Sequence, residues 1–222
     1  MKNRNLKPIE IVRDSLFYPL DIKSYIGLLI LFSTSFLIVP GILAWGYLIR
    51  IIYRTSEGND KHPEFNDWLN MFLDGLIFLG MALIFGMVFY GLLWILEYFL
   101  IGDVDLNLTS FIIAAIFNSL FNAIFVMSLA HMANEKSFTA AFQFKKIFGF
   151  IREVGWIKYL ALIVFMTLLG GLINLGIEFI YPLLVLPVWG KMPGVIVVTL
   201  LAYTYLFSFE SRYAGLLYPK KP

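Results

Sequence analysis

Cysteine is absent from the 222 residues, which excludes disulfide scaffolds, thiolate metal centres and cysteine nucleophiles. Histidine is nearly absent: His62 and His131 alone would leave any zinc site dependent on carboxylates. Charge is scarce as well, at 14% of the chain against roughly a quarter in soluble domains. The net charge is +2 and no basic run fit for nucleic acid occurs, so nucleic acid is not expected as a partner. GxxxxGK[ST], GxGxxG and HExxH are missing, so nucleotide hydrolysis and zinc-protease chemistry have no support. No catalytic residue, metal or cofactor is implied, and the chain reads as non-enzymatic.

Apolar surface is what the sequence has in excess. Apolar residues make up 60% of it and the mean hydropathy is +0.81. So few charges could not cover a soluble ball, and the surplus must face lipid. The first long apolar run begins near Tyr25 without a small-residue cleavage site, so a cleaved leader is not expected. We read residues 1–222 as one all-α polytopic membrane domain.

Runs 75–101, 108–133, 156–180 and 194–217 are long enough to cross, since about 20 apolar residues span the hydrocarbon core. Run 25–53 is awkward. As one helix it would measure about 43 Å, and Val39-Pro40-Gly41 would break it. Charge placement favours a hairpin. With it, both termini are cytoplasmic and sixteen Lys and Arg lie inside against one outside; a single first span gives eleven against six. Its arms measure only about 22 and 18 Å, so the hairpin is either fully crossing or re-entrant.

An amphipathic stretch precedes each of three hairpins, at 8–20, 64–76 and 138–154. Ile9, Val12, Leu16 and Leu20 share a face in the first, and Phe65, Trp68, Leu69, Phe72 and Leu76 in the second. Ala140, Phe144, Ile147, Phe148 and Ile151 do so in the third. Such helices lie in the interface plane. The expected architecture is therefore an interfacial helix plus a transmembrane or re-entrant hairpin, three times over. Trp68, Trp94, Trp156 and Trp189 fall at the expected membrane boundaries.

Gly46-Tyr47-Leu48-Ile49-Arg50, Arg54, Gly58, Pro63-Glu64-Phe65, Asp67-Trp68, Phe72 and Asp74-Gly75 form the most distinctive motif. In it the chain resembles a family of uncharacterised archaeal and bacterial membrane proteins, domain of unknown function 4013. The resemblance implies a prokaryotic cell-membrane protein and brings no activity or site residue with it. Physically the motif suits an interfacial elbow. Arg50 and Arg54 fall on the last turns of a helix, Gly58 can end it, and Pro63 suits the first turn of the next. Asp67 and Asp74 could pair with Arg50 or Arg54, and Trp68 marks the boundary.

Polar groups inside the hydrocarbon region are costly and are the remaining candidates. Asn118 and Asn122 share a face of one span, and Thr167, Gly170, Gly171, Asn174 and Glu178 form a stripe on the next. In the last span, Glu210 and Arg212 are two apart and cannot face one another, so each should seek a partner on another helix or the interface. These residues suit either helix packing or a polar path. Two functions follow. One is a non-catalytic protein that organises the bilayer or binds a membrane partner, with lipid and a second copy or another membrane protein as partners. The other is a small transporter or channel using Asn118, Asn122, Asn174 and Glu210.

Overall fold

The computed structural model describes residues 7–96, 108–180 and 191–219. Within them the chain is helical: α1 (Pro8–Phe17), α2 (Ile22–Ser33), α3 (Val39–Ser56), α4 (Trp68–Leu96), α5 (Leu108–Glu135), α6 (Phe144–Val154), α7 (Trp156–Ile180) and α8 (Lys191–Leu217). Short 3-10 turns follow α1 and α2 and precede α6.

Local chemistry sets the helix ends. Pro8 opens α1, where the Glu10 carboxylate accepts the Lys7 backbone N–H at 2.7 Å. The Asp21 carboxylate caps α2 by accepting the Ser24 N–H at 3.1 Å, and α1 and α2 meet at 72°. The interruption between α2 and α3 lies at residues 34–38, just before Pro40, which falls in the first turn of α3. Gly58 (φ +85°) ends α3 and Gly155 (φ +96°) ends α6. The second amphipathic stretch, 64–76, is not a separate interfacial helix. Residues 64–67 are non-helical, and α4 runs from Trp68 through Asp74-Gly75 without a break. Those positions keep helical backbone, so the amphipathic pattern is the first two turns of the span itself. The expected span end at 97–101 lies outside the described residues.

By length and apolarity, Trp68–Ile95, Ile116–Glu135 and Trp156–Gly176 can cross a membrane. On α4, Leu83, Met87, Tyr90 and Trp94 form one stripe that is 67, 67, 69 and 66% exposed. No aqueous surface tolerates such a stripe, but lipid does. Inside the bundle, α3 is the central helix, with Ala44, Tyr47, Leu48, Ile51 and Ile52 buried. It packs closely through small residues. A methyl on Gly46 would strike the Met71 carbonyl, one on Gly75 the Ile42 carbonyl, and one on Gly215 of α8 the Thr55 side chain.

Tyrosine hydroxyls tie the helices together where ion pairs would be costly. Tyr159 donates to the Ala123 carbonyl at 2.5 Å, joining α7 to α5. Tyr213 donates to Leu162 at 2.8 Å, joining α8 to α7, and Tyr205 to Leu16 at 2.7 Å, joining α8 to α1. Each hydroxyl finds an acceptor as it is withdrawn from water.

Candidate functional site: a cavity between helices

The elbow between α3 and α4 is built around Arg50. Its Nη1 donates to the Asn66 carbonyl at 2.5 Å and its Nη2 to the Asp67 carbonyl at 2.7 Å. The guanidinium also lies 3.9 Å from the Asp67 carboxylate and 3.7 Å from that of Asp74. Tyr47 stacks on Phe65 at 4.3 Å, and its hydroxyl donates to the Pro63 carbonyl at 3.1 Å. The motif residues thus meet in space, with Trp68 as the first residue of α4. Of the two arginines, Arg50 makes the expected ion pairs. Arg54 makes none among the described residues; it is directed to the His62 carbonyl, 3.4 Å away. An open cleft of about 510 Å³ beside the elbow is lined by Arg50, Arg54 and Lys136 and by Glu64, Asp67 and Asp74. The two signs balance, so the cleft selects no charge.

Arg212 finds the partners that its position in α8 demands. It is 1% exposed. Its Nη2 lies 2.6 Å from the Asp14 carboxylate and 2.7 Å from that of Asp60, while Nη1 donates to the Asn59 carbonyl at 2.9 Å and the Thr55 hydroxyl at 3.2 Å. The Tyr18 ring covers the guanidinium at 4.8 Å. Asp14, Tyr18 and Asp60 are absent from the sequence candidates. Their signal was weak, because an acid on a polar helix face or in a loop looks solvated until a distant cation is found.

Asn118, Asn122, Asn174 and Glu210 converge. From α5, α7 and α8 they line one cavity of about 550 Å³, as open as the cleft at the elbow, beside Thr167 and Tyr203. From Tyr203 to Ala214 it follows α8 for about 16 Å. Trp45, Phe78 and Phe207 supply aromatic wall. The amides are partnered: Asn122 Nδ2 donates to Asn118 Oδ1 at 3.3 Å, Asn174 Nδ2 to the Gly170 carbonyl at 2.9 Å, and the Tyr203 hydroxyl to Asn174 Oδ1 at 2.6 Å. Glu210 differs. Only partly buried, it lines the cavity, and among the described residues no donor or cation reaches its carboxylate. Of the two alternatives for Glu210, a partner on another helix is not found among the described residues. The side chain of Glu178, on the last turns of α7, lies outside the described residues.

His131 is a structural group. Its Nδ1 meets the Tyr218 hydroxyl at 3.0 Å and its Nε2 the Gln143 side chain at 3.4 Å. Among the described residues, no three His, Asp or Glu side chains are grouped to hold a metal.

A family model described as protein of unknown function (DUF4013) matches residues 29–182, well over half of the chain. The match takes in the elbow and the Asn118, Asn122 and Asn174 walls of the cavity; α8, with Glu210 and Arg212, follows it. No curated protein and no solved structure matches the chain.

Proposed function

This chain belongs to the DUF4013 family of proteins of unknown function, and we propose that it is a non-catalytic multi-pass membrane protein that binds a small solute within the bilayer and passes it across. The observation that carries this is the meeting of Asn118, Asn122, Asn174 and Glu210 around one cavity of about 550 Å³. Side chains that serve packing alone close over one another, whereas Glu210 lines this largely apolar space with no protein partner among the described residues. A carboxyl group is costly there, which marks it as functional. The volume falls in the range of small-molecule sites. We place the protein in the cell membrane with α8 as a further span and both termini cytoplasmic, supported by sixteen basic residues inside against one outside.

Because the chain has no cysteine, single-cysteine variants report without background. Asn118→Cys and Asn174→Cys, in the full chain in lipid nanodiscs, should react rapidly with a small charged thiol reagent. Lys61→Cys in the elbow serves as the reactive control and Leu83→Cys on the lipid face as the inert one. Two inert cavity positions beside a reactive Lys61→Cys would mean a dry interior and end the proposal.

The α2–α3 tip favours a second function, bilayer organisation or partner binding. Phe36, Leu37, Ile38 and Val39 are all exposed there, on a hairpin whose α2 arm is only about 18 Å long. A dry interior in the same labelling experiment would be its signature.

A further inference from the structure

We propose that the occupant of the cavity is a monovalent amphipathic organic cation, its ammonium-type head held by Glu210 and its apolar body lying against Trp45, Phe78 and Phe207. The proposal rests on the cavity being a binding site and adds the chemical class of what it binds.

Charge decides first. Among the described residues no Lys, Arg or His lines the cavity, and the acidic group there is Glu210. The nearest cation along the same helix, Arg212, is committed to Asp14 and Asp60. Residues two apart on a helix point to opposite sides, so Arg212 is directed away from the cavity. An anion entering this space would meet a carboxylate and no compensating charge. A cation would meet a carboxylate that no donor or cation reaches among the described residues.

Size and wall chemistry narrow the class. A bare metal ion needs a shell of several oxygens in close contact, and about 550 Å³ is far more room than one ion fills. A sugar-like solute would need many convergent polar groups, but the amide oxygens of Asn118 and Asn174 are already engaged. Most of the wall is apolar. Trp45 stacks on Phe78 at 4.5 Å and lies 5.0 Å from Phe207, which presents aromatic surface a few residues along the bundle from Glu210. Aromatic faces attract organic cations and also take up their apolar parts. Among the described residues the cavity carries one unit of negative charge, which one unit of positive charge matches.

Tetraphenylphosphonium and tetraphenylborate have the same shape and opposite charge, which makes them the discriminating probes. Binding of each to the full chain in nanodiscs would be measured by equilibrium dialysis, with empty nanodiscs subtracted. The phosphonium should bind saturably and at least about tenfold more tightly than the borate. Glu210→Gln keeps the shape and removes only the charge, so it should fold; it should bring the two affinities together. Equal or tighter binding of the borate, saturable binding of neither ion, or a phosphonium preference unchanged in Glu210→Gln would overturn the cation proposal. The Asn118→Cys and Asn174→Cys labelling reports separately on the cavity. Reactive cysteines with no cation preference would leave a binding site for another class of solute, and inert ones would remove the site itself.

Discussion

Gly46 of α3 and Gly75 of α4 approach so closely that a methyl on either would overlap the backbone carbonyl of the opposing helix. The obstruction is backbone, which cannot swing aside as a side chain would. Gly46→Ala or Gly75→Ala must therefore push the helices apart, at about 1–3 kcal/mol or more by the usual cost of overpacking. Gly149 in α6 is the contrast. Its added methyl meets nothing within 4 Å, so Gly149→Ala should gain roughly 0.5–1 kcal/mol of helix stability. Thermal unfolding in detergent, followed by size-exclusion fluorescence, should move the two kinds of variant in opposite directions.

Arg212 is the largest fully buried charged side chain, and both of its carboxylate partners are half-exposed, Asp14 at 42% and Asp60 at 55%. Arg212→Ala leaves the Asn59 carbonyl and the Thr55 hydroxyl without their donor and a void in place of the buried side chain, and should cost about 2–4 kcal/mol. Asp14→Asn or Asp60→Asn should each cost less, because the other acid remains on the guanidinium. Together the two should exceed the sum of the singles, since the doubly neutral site leaves Arg212 buried with no counter-charge. Strict additivity in thermal stability would show that the acids act independently of Arg212.

Much of this architecture could be read locally. A run of about 20 apolar residues is a signal contained within itself, so the extents of α5 and α7 followed from the chain alone. The boundary at 64–76 failed because the amphipathic period is the same in an interfacial helix and in the entrance to a span. Asn118, Asn122, Asn174 and Glu210 stood out as polar exceptions, yet spacing gives a face of one helix and not which faces meet. Their shared cavity depends on how α5, α7 and α8 pack. The partners of Arg212 were still less accessible, since Asp14 lies 198 positions away and Asp60 lies 152.

At the elbow, Arg50 bridges two backbone carbonyls with its two terminal nitrogens. That planar fork is a geometry which lysine cannot reproduce. Arg50→Lys keeps the charge near Asp67 and Asp74 but should release the segment between α3 and α4. The expected outcome is faster tryptic cleavage after Lys61 in the folded protein, with the helices otherwise retained by circular dichroism. Cleavage at the parental rate would mean that charge alone holds the elbow.

His62 gives the elbow a pH dependence. Its Nε2 lies 2.8 Å from the Tyr18 carbonyl, which can only accept, so the neutral ring carries its proton on Nε2. The ring stacks on Tyr18 at 3.8 Å, and Nδ1 is buried with no hydrogen-bond partner among the described residues. Burial pushes the His62 pKa below its ordinary value, with Arg212 adding to the effect against the opposing pulls of the Tyr18 carbonyl and Asp21. A base whose folded pKa is depressed binds protons more readily when unfolded, so stability falls as pH falls. The contribution of His62 is complete above its unfolded pKa of about 6.5 and is lost as pH descends toward the folded value. The thermal midpoint of the full chain should therefore decline from about pH 7.5 to about pH 5. His62→Gln retains a donor for the Tyr18 carbonyl without the titrating group, and should flatten that decline. An identical slope in the variant would assign the pH dependence to other groups.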